Sequence, residues 1–138
     1  GSYGINGLIF YWGDWGVKPV RERWKIPDVK GTSNIPLRLD SCSSQGSMHH
    51  TQVPPECDAV PVAPRGVDPW VRSRYFCINR HDGGINGLFL DCSVRKIGLK
   101  ELWTLKWQEA FDTAGPWTKA GGVQPEDWPQ WMRRFKDY

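Results

Sequence analysis

Apolar and polar residues alternate with a period of two at several places along the chain, the repeat of a strand with one face in a core and the other in water. Ile35-Pro36-Leu37-Arg38-Leu39-Asp40 shows it most clearly and Arg23-Trp24-Lys25-Ile26 over a shorter span. Both predict half-buried strands, with Pro36 at an edge or a strand start because it donates no ladder hydrogen bond. Gly4-Ile5-Asn6-Gly7 ahead of Leu8-Ile9-Phe10-Tyr11-Trp12 predicts a tight turn feeding a buried strand, and Gly13-Asp14-Trp15-Gly16 predicts another turn. Regular structure is expected again at Trp70-Val71 and from Arg74 to Ile78, closed by a turn over Asn79 to Gly84. Leu102 to Trp107 satisfies both periods: Trp103, Leu105 and Trp107 fit a strand, whereas Trp103, Trp107, Ala110 and Phe111 fit a helix face. The strand is the preferred reading.

Two longer-range features organise these pieces. Gly84-Ile85-Asn86-Gly87-Leu88 repeats Gly4-Ile5-Asn6-Gly7-Leu8 residue for residue, which suggests pseudo-symmetric β elements. Residues 40–69 lose all periodicity and are rich in Ser, Gly, Gln and Pro, as in a long loop. Near the end, Pro125, Glu126 and Asp127 suit a helical first turn, and Trp128, Trp131, Met132 and Phe135 then fall on one face with Arg133, Arg134 and Lys136 behind them. The prediction is a mainly β chain: a single β-rich domain over 1–138, sandwich or prism-like, with the 40–69 loop inside it and one C-terminal amphipathic helix.

Composition adds three constraints. The 138 residues suffice for one hydrophobic core, and the 13% aromatic share includes nine Trp, a residue that suits β cores and ligand-contact surfaces alike. Trp12, Trp15 and Trp117 stand beside turns and are the candidate binding residues, while Trp103 and Trp128 sit in core-like patterns. A net charge of +3, with Lys18, Arg21, Arg23 and Lys25 interrupted by Glu22, reads as a solvated face and gives no nucleic-acid signature. No apolar stretch reaches the length of a membrane span.

The four cysteines, Cys42, Cys57, Cys77 and Cys92, contain no C-x-x-C pair. Two disulfides are the simpler reading, and among the three connectivities the sequential one, Cys42 with Cys57 and Cys77 with Cys92, closes the shortest loops. Bridges of that kind place the chain in an oxidising compartment, secreted or extracellular. Gly1-Ser2 has neither a basic nor an apolar leader and is read as the start of a mature chain or an excised fragment.

Signals for chemistry are sparse. His81 beside Asp82, with Arg80 next to them, is the candidate general-base pair. His49 and His50 lie midway between Cys42 and Cys57 but lack a familiar zinc spacing, so no metal and no cofactor is expected. Asp14 and Asp91 are carboxylates near Trp-rich turns that a glycosidase would need to bring together. Nucleophile-elbow and phosphate-loop motifs are absent from the sequence.

Asp82-Gly83-Gly84-Ile85-Asn86-Gly87-Leu88-Phe89-Leu90-Asp91-Cys92 resembles the unit of the vitelline membrane outer layer protein I family, in which an Asp-containing turn leads through an Asn-Gly strand to a cysteine. Trp12-Gly13-Asp14-Trp15-Gly16 and Gly115-Pro116-Trp117 look like that family's Trp-Gly turns. The likeness covers about a quarter of the chain. It implies a β-prism of three sheets, secretion, association with glycan-rich coats and carbohydrate binding in a central cleft. The family's three regular repeats and additional cysteines are not matched, and the first copy here has no cysteine after its strand.

The leading reading is a secreted, non-catalytic binding module for a glycan or an extracellular surface. A protein-interaction domain of a microbial effector or a viral surface glycoprotein is the alternative, and a small secreted hydrolase a further one.

Overall fold

The structure, a computed structural model, describes residues 2–7, 9, 29–58 and 73–138. Five strands form one sheet: β1 (Ser2–Asn6), β2 (Pro36–Ser41), β3 (Gln45–Gly46), β4 (Gly84–Phe89) and β5 (Val94–Gly98). Their spatial order is β3-β1-β2-β4-β5, antiparallel throughout except for the short parallel pairing of β3 with β1. Among the described residues the chain is thus β-rich with a single one-turn helix, α1 (Ser73–Phe76). Among the described residues there is neither the second sheet of a sandwich nor the three sheets of a prism.

The doubled Gly-Ile-Asn-Gly-Leu motif supplies both neighbours of β2. Its first copy begins inside β1, not in a turn before a strand. Leu39 of β2 has Gly4 on one side and Gly87 on the other, so the copies are offset by three residues. An odd offset reverses which face each side chain takes. Ile85 is therefore buried while Ile5 is half-exposed, and Asn6 is buried while Asn86 is exposed. Inside, Asn6 Nδ2 donates to Pro36 O at 3.0 Å and Trp107 O at 3.1 Å, which satisfies the amide at the edge of the core.

Leu39, Ile85, Phe89 and Ile97 make the inner face of the sheet. The layer over it contains almost no regular structure: 3-10 turns at Lys100–Thr104, Pro125–Asp127 and Gln130–Met132, joined by irregular chain. What holds that layer is its tryptophans. Trp103, Trp107 and Trp128 are fully buried, with Leu102, Leu105, Phe111 and Met132 between them. An indole N–H taken out of water usually finds an acceptor, although Trp128 Nε1 has none among the described residues. Trp103 Nε1 donates to Gln52 O at 2.8 Å, Trp107 Nε1 to Leu102 O at 2.8 Å and Trp131 Nε1 to Pro55 O at 2.9 Å. Two of those acceptors lie in the expected 40–69 loop, whose described part, ending at Asp58, is thereby packed onto the core along with Met48.

Two expected elements differ. Leu102 to Trp107 is a 3-10 turn and an extended exit, not a strand, because Trp103 and Trp107 are both drawn into the core. The C-terminal amphipathic helix is replaced by two 3-10 turns. Pro129 disfavours helical geometry at the residue before it, and Trp128 takes φ −73 and ψ 145, ending the first turn. The expected strand at 23–26 and the run from Leu8 to Trp12 lie outside the described residues, apart from Ile9.

Candidate functional site

Cross-strand partners share a face of a sheet, so the register assigns the outer side. One row runs Ile5, Arg38, Leu88, Val94 and the next runs Tyr3, Asp40, Asn86, Lys96. Tyr3 and Val94 are 59% and 71% exposed. This face, away from the tryptophan layer, carries two adjoining features.

The first is a polar cluster on the second row. The backbone N–H of His81 donates to Gly84 O at 3.1 Å, tightening the turn ahead of β4. His81 Nε2 then lies 3.0 Å from Asp40 Oδ2, to which the Asn86 backbone N–H also donates at 2.8 Å. The Asn86 side-chain amide is 3.0 Å from the same ring nitrogen. One ring nitrogen cannot serve both neighbours: as an N–H it donates to the Asp40 carboxylate, and as a lone pair it accepts from Asn86 Nδ2, so the tautomer selects which contact is the hydrogen bond. Asp40 is nearly buried, with 7% of its side chain exposed against 43% for His81. Alongside, Arg80 Nη2 donates to Ser41 O at 3.2 Å.

A histidine beside a carboxylate is an arrangement that acid–base chemistry uses, but the nucleophile types at the end of β2 are occupied elsewhere. Ser41 Oγ donates to Tyr75 O at 2.9 Å. The Cys42 thiol lies 3.6 Å from the same carbonyl, and burial pushes its pKa up, against a smaller lowering by its own backbone and by Arg80.

The second feature separates His81 from Asp82. Asp82 takes φ 48, a left-handed turn conformation, and borders a cleft of about 470 Å³ together with Lys96, Arg134, Phe135, Lys136 and Tyr138. Glycines make it possible. A Cβ on Gly83 would lie 2.7 Å from Phe135 Cδ1, and one on Gly98 would collide with the Tyr138 ring. The residues after Met132 therefore fold back over the open end of the β4–β5 hairpin. They are fastened by Lys100 Nζ donating to Asp137 Oδ1 at 2.6 Å and Lys119 N donating to Tyr138 O at 2.7 Å. Burial raises the Tyr138 phenol pKa, as does Glu101, with Arg95 opposing. Since Lys96 stands opposite Asn86, the cleft and the polar cluster meet on one surface.

The remaining candidates are dispersed. Trp117 is half-buried in the covering layer with its ring 5.5 Å from Trp128, which makes it a packing residue and not an open platform. Trp12, Trp15 and Asp14 lie outside the described residues. Asp91 sits in the β4–β5 turn, accepts from Ser93 Oγ at 2.6 Å and Ser93 N at 3.0 Å, and is held below the usual carboxylate range by those bonds. A glycosidase acid needs the opposite shift. His49 and His50 stack 4.2 Å apart, with His50 edge-on to Phe111. Among the described residues no group of three or more His, Cys, Asp and Glu side chains assembles that would hold a metal ion, and no helix is long and apolar enough to cross a membrane.

The two expected disulfides are not made. All four cysteines are thiols. Cys77 is buried with its sulfur 3.9 Å from Met132 Sδ in the core, whereas Cys92 is exposed at φ 66 in the β4–β5 turn; the pairing chosen for short loops ignores that separation. Burial, with Asp58 adding to it, pushes the Cys77 thiol far above its ordinary pKa.

Sequence reasoning did not anticipate Asp40 as the partner of His81, because 41 residues separate them. It places Arg134 and Lys136 only near the C-terminal end of a helix. No family model, no curated protein and no solved structure matches the chain.

Proposed function

We propose that the chain is a secreted, non-catalytic binding module that holds a glycan of an extracellular surface at the outer face of its sheet. The observation that carries this reading is the cleft at the end of the β4–β5 hairpin. It is concave, floored by glycines, and bordered by the hydrogen-bonding side chains of Asp82, Lys96 and Tyr138 next to Asn86. Sugar hydroxyls require convergent donors and acceptors of this sort. The binding role is favoured over hydrolysis because Ser41 is committed to a backbone carbonyl and the Cys42 thiol is held protonated by burial. The secreted location rests on the resemblance to the vitelline membrane outer layer protein I family, and the four thiols lend it no support.

Titrating an ¹⁵N-labelled chain with a panel of extracellular oligosaccharides tests the proposal. Amide shifts should concentrate at residues 82–86, 96–98 and 134–138. Saturation of the panel with no shift at those positions would remove the glycan reading. The exposed Tyr3 and Val94 at opposite ends of the same face favour a protein partner as the second reading. In that case shifts would appear on β1 and β5 with host extracellular proteins and not with sugars.

A further inference from the structure

Charge is unevenly paired around the cleft. Nearby, Arg95 is paired with Glu101 and Lys100 with Asp137. Lys96, Arg134 and Lys136 all border the cleft, and among the described residues none of them makes an ion pair. Two of the three are pre-placed by aromatic rings: Arg134 Cζ lies 5.0 Å from the centroid of Phe135, and Lys136 Nζ lies 4.7 Å from that of Tyr138. A cation held over a ring face loses less side-chain freedom when an anion arrives. The rings are spent on holding the cations and on covering Gly83 and Gly98, so they are not free to stack on a sugar.

Resting on the glycan reading above, we infer that the cleft recognises an acidic sugar unit, one carrying a single carboxylate and neighbouring hydroxyls, as in a polyuronate. Arg134 offers the planar fork that matches a carboxylate, with Lys96 and Lys136 as further donors. Asp82, the one acid among the described residues on the border, makes no hydrogen bond or ion pair with a described residue. Its carboxylate accepts from a hydroxyl and repels a second negative charge. That pairing of three cations with one acceptor suits a ring with one acid group among hydroxyls and disfavours a dense polyanion such as a phosphodiester chain. A volume of about 470 Å³ is at the small end of ligand sites and fits one or two rings rather than a long segment.

The test is calorimetric titration of the 138-residue chain with tetragalacturonate, with the neutral galactotetraose and with a tetraglutamate peptide, at low and at physiological ionic strength. Tetragalacturonate is expected to bind at least about tenfold more tightly than either other probe, and to weaken as salt rises. Arg134→Gln and Lys136→Gln should each lower its affinity by about fivefold or more with the melting temperature unchanged. Equal binding of the acidic and neutral sugars overturns the inference and leaves the glycan module standing. Preference for tetraglutamate overturns it in favour of an acidic protein partner. Binding of neither sugar overturns it together with the reading it rests on. Unaltered affinity in both Gln variants places the acid elsewhere on the surface and also overturns it.

Discussion

Asp137→Ala is the most informative single substitution, because it strands a buried ammonium. Lys100 has no exposed side-chain surface, and its Nζ lies 2.6 Å from Asp137 Oδ1 and 4.9 Å from the Trp128 ring centroid. At an effective dielectric of about 20, unit charges 2.6 Å apart attract by about 6 kcal/mol. Desolvating the ammonium costs several kcal/mol, so the pair is close to balanced. Removing only Asp137 keeps the desolvation and loses most of the attraction, and the expected cost is about 3 to 5 kcal/mol. Lys100→Met removes the buried charge itself. The Asp137 side chain left behind is 28% exposed and can turn to water, so the expected cost is only about 1 kcal/mol. Urea melts supply the numbers, and thermal melts should show a drop of about 10 °C or more for Asp137→Ala and only a few degrees for Lys100→Met. The double variant Lys100→Met with Asp137→Leu should recover most of the loss. If Asp137→Ala costs less than Lys100→Met, the ammonium reaches solvent by another route and the reasoning fails.

The two copies of the repeated motif should respond oppositely. Asn6→Ala strands two carbonyls at the core and should cost about 2 to 3 kcal/mol, whereas Asn86→Ala on the exposed face should stay within about 0.5 kcal/mol; equal costs in urea melts would refute the face reversal. The raised Tyr138 pKa means the folded state holds that proton more tightly than the unfolded chain does. Its contribution is present below the ordinary value of 10.0 and is lost as pH rises through the higher folded value. Melts in that alkaline range should show a stability loss that Tyr138→Phe diminishes. Thiol labelling followed by mass spectrometry should modify Cys92 and Cys57 within the native protein, Cys42 more slowly, and Cys77 only after unfolding; labelling of Cys77 at the rate of Cys92 would contradict its place beneath Met132.

How much was legible in the sequence depended on whether an element's cause was local. β2 was visible in Leu37-Arg38-Leu39-Asp40 because a half-buried strand writes its period directly, and the second motif copy was visible for the same reason. The importance of Trp103 and Trp128 to the core followed from their spacing. The segment from Pro125 to Phe135 carries a convincing helical stripe, and the steric effect of Pro129 on Trp128 is what breaks the helix. The orientation of the repeat was invisible, since five identical residues carry no information on the strand they will pair with or its register. The site was hidden for a related reason. Asp40 meets His81, and Lys96 comes to border one cleft with Arg134 and Lys136, only through chain reversals whose registers are tertiary facts. Cysteine count, used without geometry, suggests a Cys77–Cys92 bridge although Cys77 lies in the core and Cys92 in an exposed turn.

The two walls of the cleft come from separate parts of the described chain, one from the β4–β5 hairpin and one from the residues after Met132. A ligand spanning them is a clasp as well as cargo. Whatever free energy it gains is available only while the tail lies against Gly83 and Gly98, so binding and tail docking are thermodynamically linked. Saturating ligand should therefore slow amide exchange at residues 133–138 and at Lys119, where Tyr138 O is the acceptor, and raise the melting temperature with ligand concentration. Conversely, a substitution that loosens the tail from a distance, such as Asp137→Ala, should weaken binding without touching any group that contacts the ligand.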